Sequence, residues 1–158
     1  MDSFDTLHFQ IIRYPGGTVS NQFHWQTDSP SLESLEMLHT PVVFVLNMVT
    51  ETLENQIAML AHAEFLGIKI QHIEMGNEIN NMGSDGRAKF TSATIYRDPC
   101  AVWISALKKV YPSVKIAVVG VNKNYSPDTR LCNDTLASLT PDSYVLHKYH
   151  NPDFYVIN

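Results

Sequence analysis

Short apolar runs rich in β-branched residues alternate with stretches long enough for helices, and this alternation restricts the chain to few folds. Residues 41–48 (PVVFVLNM) are too short for a helix and too apolar for a solvated strand, which predicts a strand covered on both faces. Behind them Leu53, Ile57, Leu60, Ala61 and Phe65 recur at helical spacing, with Thr50 or Thr52 to cap the start and Gly67 at the stop. Residues 68–75 (IKIQHIEM) return to strand character. Asp98-Pro99 then predicts an N-cap with proline at the first helical position, and Cys100, Trp103, Ile104, Leu107 and Val110 share one face of the helix that Pro112 ends. A strand over residues 115–121 (KIAVVGV), a weaker helix over 126–139 and a strand over 143–149 (SYVLHKY) follow. At the front, residues 7–13 (LHFQIIR) read as a strand closed by Pro15-Gly16-Gly17. Only the link through SPSLESLEMLHT is ambiguous.

Strand and helix in alternation, with near-continuous apolar strands, predict an α/β fold: about five parallel strands joined by right-handed β-α-β units, with helices on the outer face. No internal repeat, low-complexity tract or Gly/Ser linker divides the chain, and the irregular stretch 80–94 reads as a loop after the third strand. Residues 1–158 are therefore expected to form a single domain.

Composition narrows the partners. The chain has 158 residues, 44% of them hydrophobic and 17% charged, which is enough apolar material for one core. Its 11 Lys and Arg stand against 16 Asp and Glu, and apart from Lys108-Lys109 the basic residues are scattered, so no cationic stripe tracks a phosphate backbone and no nucleic acid is expected. No window approaches the roughly 20 apolar residues of a membrane span, and MDSFDTLHF lacks the basic and apolar regions of a secretory leader. Cys100 and Cys132 make no C-x-x-C spacing and read as two buried thiols, with a single disulfide as the alternative.

Polar and turning residues gather where the strands end: Arg13-Tyr14-Pro15-Gly16-Gly17, Asn47-Met48, Gly76-Asn77-Glu78, Gly120-Val121-Asn122 and His147-Lys148-Tyr149-His150. In parallel α/β proteins ligands meet the carboxyl ends of the strands, so this rim is where a site is expected. If the third strand stays extended, Glu74 and Glu78 lie about 13 Å apart, too far for the roughly 5 to 9.5 Å between the two carboxyl groups of glycoside hydrolysis. Glu74 is better explained as an internal charge paired with Arg13 or His72. His147 and His150 have H-x-x-H spacing, but on a strand they point to opposite faces, and no metal or cofactor is expected.

The motifs RYPGG, IEMGNE and SYVLHKYH, in this order and with NMVTETLENQIAMLAHAEFLGI between the first two, resemble the retaining glycoside hydrolases with a (β/α)8 barrel, especially the arabinofuranosidase, xylosidase and heparanase-like groups. The resemblance runs from about residue 7 to residue 150 and implies an incomplete TIM barrel, strands 2 to 6. It implies Glu78 as general acid/base, a role that needs a carboxyl able to hold its proton until the leaving oxygen takes it. It implies Asn77 as the amide that binds the sugar 2-hydroxyl, Arg13 as the arginine near the nucleophile, and His147 with Tyr149 as the strand 6 pair. Asn21 and Trp25, in the loop GGTVSNQFHW, are candidates for sugar contacts, since an indole face suits the apolar face of a pyranose.

A full barrel takes about 250 residues. The resemblance puts the nucleophilic glutamate at the end of strand 7, and Glu51, Glu54, Asp128 and Asp153 do not match its motif. The chain is therefore expected to be a glycosidase segment carrying the acid/base half of the mechanism, active only with the missing strands. A non-catalytic carbohydrate-binding module and a self-associating structural piece are the alternatives. Open edges predict association with the missing strands or with a copy of the chain. A secreted or lysosomal location would follow from the resemblance alone.

Overall fold

The computed structural model describes residues 10–36, 38–79, 85–121 and 133–147. Its strands are Ile12–Tyr14 (β1), Val42–Val45 (β2), His72–Met75 (β3), Lys115–Val119 (β4) and Ser143–Val145 (β5). They form one parallel sheet in sequence order, β1-β2-β3-β4-β5, which does not close. Between them lie a 3-10 turn (Thr18–Asn21) and five helices: α1 (Leu32–Glu36), α2 (Leu53–Phe65), α3 (Asp85–Lys89), α4 (Ala93–Val110) and α5 (Asn133–Ala137). This is the expected α/β architecture of five parallel strands.

Register and side-chain alternation decide what each face of the sheet does. Tyr14, Phe44, Ile73 and Ile116 lie in one row across four strands, and all are buried. Leu32, Met59, Leu60, Tyr96, Cys100, Leu107 and Leu136 from the helices join them in the same core. On the alternate face Arg13, Val43, Glu74 and Ala117 are half-buried while Val45 and Val119 are buried, so that face mixes charge with apolar side chains where the first is apolar. Burying a Phe or Leu side chain contributes roughly 1.5–3 kcal/mol, which makes the helix-covered face the main source of stability.

Two expectations about elements need correction. Asp98-Pro99 does not open the long helix: α4 begins at Ala93, Ser92 accepts a hydrogen bond from the Ile95 N–H at 3.3 Å, and Pro99 lies inside the helix. The earlier start wins because it adds Ala93 and Tyr96 to the buried face of Cys100, Trp103 and Leu107, at the cost of one missing N–H near the exposed Ile95. The stretch read as loop likewise contains α3 and the first residues of α4. α2 matches its expectation, and of its two proposed caps Thr52 is the one used, accepting from the Asn55 N–H. The weaker helix is described over Asn133–Ala137, and β5 ends at Val145. No helix among the described residues is long and apolar enough to cross a membrane.

Candidate functional site

β3 ends abruptly, and how it ends creates the rim. Gly76 has φ 89°, and a Cβ there would sit 3.1 Å from Ile79 Cγ2, so both conformation and space call for glycine. Glu78 follows with φ 41°, a left-handed conformation unusual for a residue with a side chain. The strand is therefore not extended from Glu74 to Glu78, and the two carboxylates enter different surroundings. Above the last ladder position the Tyr96 hydroxyl donates to the Met75 carbonyl at 2.6 Å and accepts from the Val119 N–H at 3.0 Å. This hydroxyl joins β3 to β4 where their own pairing stops, and burial raises its pKa well above the ordinary phenol value.

Arg13, Glu74 and Asn77 form one network. Arg13 Nε donates to Glu74 Oε2 at 2.7 Å, and Nη2 donates to Asn77 Oδ1 at 3.0 Å. Glu74 thus has the partner its position demands. Because a guanidinium only donates, Oδ1 is the Asn77 atom that faces it, which leaves the Nδ2 amide, without a partner among the described residues, as a donor for a ligand. Beside it, the Glu78 carboxyl is 14% exposed and its Oε1 lies 2.7 Å from His147 Nδ1. A carboxyl and an imidazole at this distance can share one proton.

Arg13, Asn77, Glu78 and His147 are therefore brought to one rim, from the ends of β1, β3 and β5. Asn21 reaches the same place from below, with its amide on the Asn77 backbone. Trp25 does not join them. Its indole N–H donates to Asn55 Oδ1 at 3.1 Å and its ring lies against His62 on α2, with ring centres 5.3 Å apart. Tyr149, His150, Cys132, Asp128 and Asp153 lie outside the described residues. Cys100 is a free buried thiol whose Sγ is 3.9 Å from Met48 Sδ. Among the described residues no three metal-ligating side chains cluster.

The structure also shows a pair that sequence reasoning missed. His24 Nδ1 contacts Glu51 Oε1, while Asn55 Nδ2 donates to Glu51 Oε2 at 2.5 Å, tying the loop after β1 to the start of α2. Burial pushes the Glu51 carboxyl up, but the Asn55 amide and the His24 ring outweigh it and hold its pKa below the usual carboxylate range. A polar residue in each of two loops gave no sign of this partnership, since nothing in the spacing links them.

No family model matches the chain, and no curated protein is similar to it. Among solved structures it is similar to AbfB, a family 51 α-L-arabinofuranosidase from Bifidobacterium longum, with TM-score 0.73 and 17% sequence identity. The match covers 90% of this chain and 35% of that one, so the chain spans about a third of the enzyme's length. At this identity the likeness establishes the fold of a barrel segment and leaves the chemistry to the residues.

Proposed function

We propose that this chain is the acid/base segment of a retaining glycoside hydrolase, with Glu78 as proton donor to the glycosidic oxygen. The observation that carries the reading is the Glu78 carboxyl, held in a left-handed turn at a strand end, with Oε1 2.7 Å from His147 Nδ1 and the Asn77 amide beside it. A carboxyl so placed at a strand end can give its proton to a leaving alkoxide. The same carboxylate then takes a proton from the attacking water, as reversal of the first step requires.

Asn77, its amide oriented by Arg13, donates Nδ2 to a sugar hydroxyl and so positions the ring. His147 positions Glu78. Tyr149, assigned only through the family resemblance, completes the strand 6 pair. The substrate class is a carbohydrate, and an α-L-arabinofuranoside of the kind AbfB acts on is the first to try. The nucleophilic carboxylate belongs to the complementary part of the barrel, without which double displacement does not proceed.

Co-expression with a segment that carries the complementary strands of the barrel tests this. Aryl-glycoside hydrolysis that Glu78→Gln lowers by a factor of about 10² or more is expected, the usual contribution of a general acid. Equal activity in the variant removes Glu78 from the mechanism.

A further inference from the structure

We propose that Asn21 is a positioning residue for Glu78: its side-chain amide clamps the Asn77 backbone and so fixes the turn that delivers the Glu78 carboxyl to His147. This deepens, and rests on, the reading of Glu78 as the acid.

Asn21 Nδ2 donates to the Asn77 carbonyl at 2.7 Å, and the Asn77 N–H donates to Asn21 Oδ1 at 3.1 Å, across a separation of 56 residues. One side chain thus satisfies both backbone polar groups of Asn77 just where the β3 ladder, which ends at Met75, no longer does so. Asn21 is 2% exposed and Asn77 1%, so water is no substitute for either bond.

Asn21 is itself fixed. It closes the 3-10 turn that starts after Gly17 at φ 71°, and its carbonyl accepts from Thr50 Oγ1 at 3.4 Å. A non-glycine residue in the left-handed region persists where its surroundings impose the conformation. The Asn21 amide fixes the residue that leads into Glu78, by holding the Asn77 carbonyl and N–H. Arg13 holds the Asn77 side chain and Asn21 its main chain, so Glu78 is approached from a peptide unit with little freedom left.

Nuclear magnetic resonance on the full chain tests the clamp without requiring turnover. Asn21→Asp keeps size and the Oδ1 acceptor but sets an oxygen against the Asn77 carbonyl. In this variant the His147 Nδ1 shift is expected to move to its value in Glu78→Gln, and protection of the Asn77 amide from hydrogen exchange to fall about tenfold, with β2 and β4 amides unchanged. A folded Asn21→Asp with wild-type His147 shift and Asn77 protection overturns the proposal, as does a His147 shift that Glu78→Gln leaves in place. If Asn21→Asp does not fold, Asn21→Ser and the wild type carry the test. A wild-type Asn77 amide that exchanges as fast as exposed loop amides also overturns it. The two readings fail separately: absent hydrolysis with a moved His147 shift removes the acid role and keeps the clamp. Glu78-dependent hydrolysis with an unmoved shift does the reverse.

Discussion

At Gly76 the backbone leaves β3 with φ 89°, and what the rim presents depends on that one residue. Alanine there must adopt a left-handed conformation costing roughly 1–2 kcal/mol and push its Cβ against Ile79. Gly76→Ala is accordingly expected to lower the denaturation free energy by about that amount, measured by urea titration, and an unchanged midpoint would contradict the account. Cys100 shows the opposite kind of residue: burial pushes its thiol up to about 12, so it holds no thiolate to react. In a Cys132→Ser background, Ellman's reagent at pH 8 should find no thiol until denaturant is added, and rapid labelling of the native chain would show Cys100 to be accessible. Residues differed in how far the sequence revealed them. Arg13, Asn77, Glu78 and His147 stand at strand ends within compact motifs, so their meeting was legible. Asn21 was legible only as a polar loop residue, because its partner is a backbone 56 positions away and backbone groups leave no trace in composition.

Among the elements, α4 shows best how local signals compete. Asp98-Pro99 has the chemistry of a helix start, yet Ser92 caps six residues earlier and Pro99 remains inside the helix. Local preference favours the later start and the burial of Tyr96, fully enclosed with both its hydrogen bonds made, favours the earlier one. Burial prevails because it brings both packing and backbone satisfaction, whereas Pro99 forfeits one bond to a carbonyl at the exposed Ile95. Two substitutions separate these effects. Ser92→Ala should destabilise by about 1 kcal/mol through loss of the cap, while Pro99→Ala should stabilise by about the same by restoring the N–H. Thermal melts that found Pro99→Ala destabilised would mean the proline sets the helix path. The strands β2, β3 and β4 were legible because their apolar runs are short and bounded. The helix start was not, since it depends on which core Tyr96 enters.

At the scale of the whole molecule, Asp142 ties the amino ends of β4 and β5 to each other and to α4. Its carboxylate takes Lys108 of α4 at 2.8 Å, the Ile116 N–H of β4 at 2.9 Å and Lys115 at 3.1 Å, and these three hold its pKa below the ordinary 3.8. A depressed carboxyl stabilises the folded state fully above its unfolded value and loses that contribution as pH falls through the folded one. The loss therefore begins below about pH 3.8, and Asp142→Asn should flatten it in acid melts. The sheet edges set the second property of the whole. Among the described residues the outer sides of β1 and β5 pair with no strand, and Tyr144 on β5 and Leu146 just beyond it are 37% and 50% exposed. Unpaired N–H and C=O groups beside exposed apolar side chains form a template for another strand. Val102, 62% exposed on α4, is as apolar but has no free backbone edge next to it. Light scattering should thus show a mass that rises with concentration, lowered by Tyr144→Lys and unmoved by Val102→Lys. A stable monomer, or equal relief by both lysines, would show that apolar surface rather than the strand edge governs association. The distinction bears on the proposed barrel as well, because a strand that extended the sheet there would occupy the same edge.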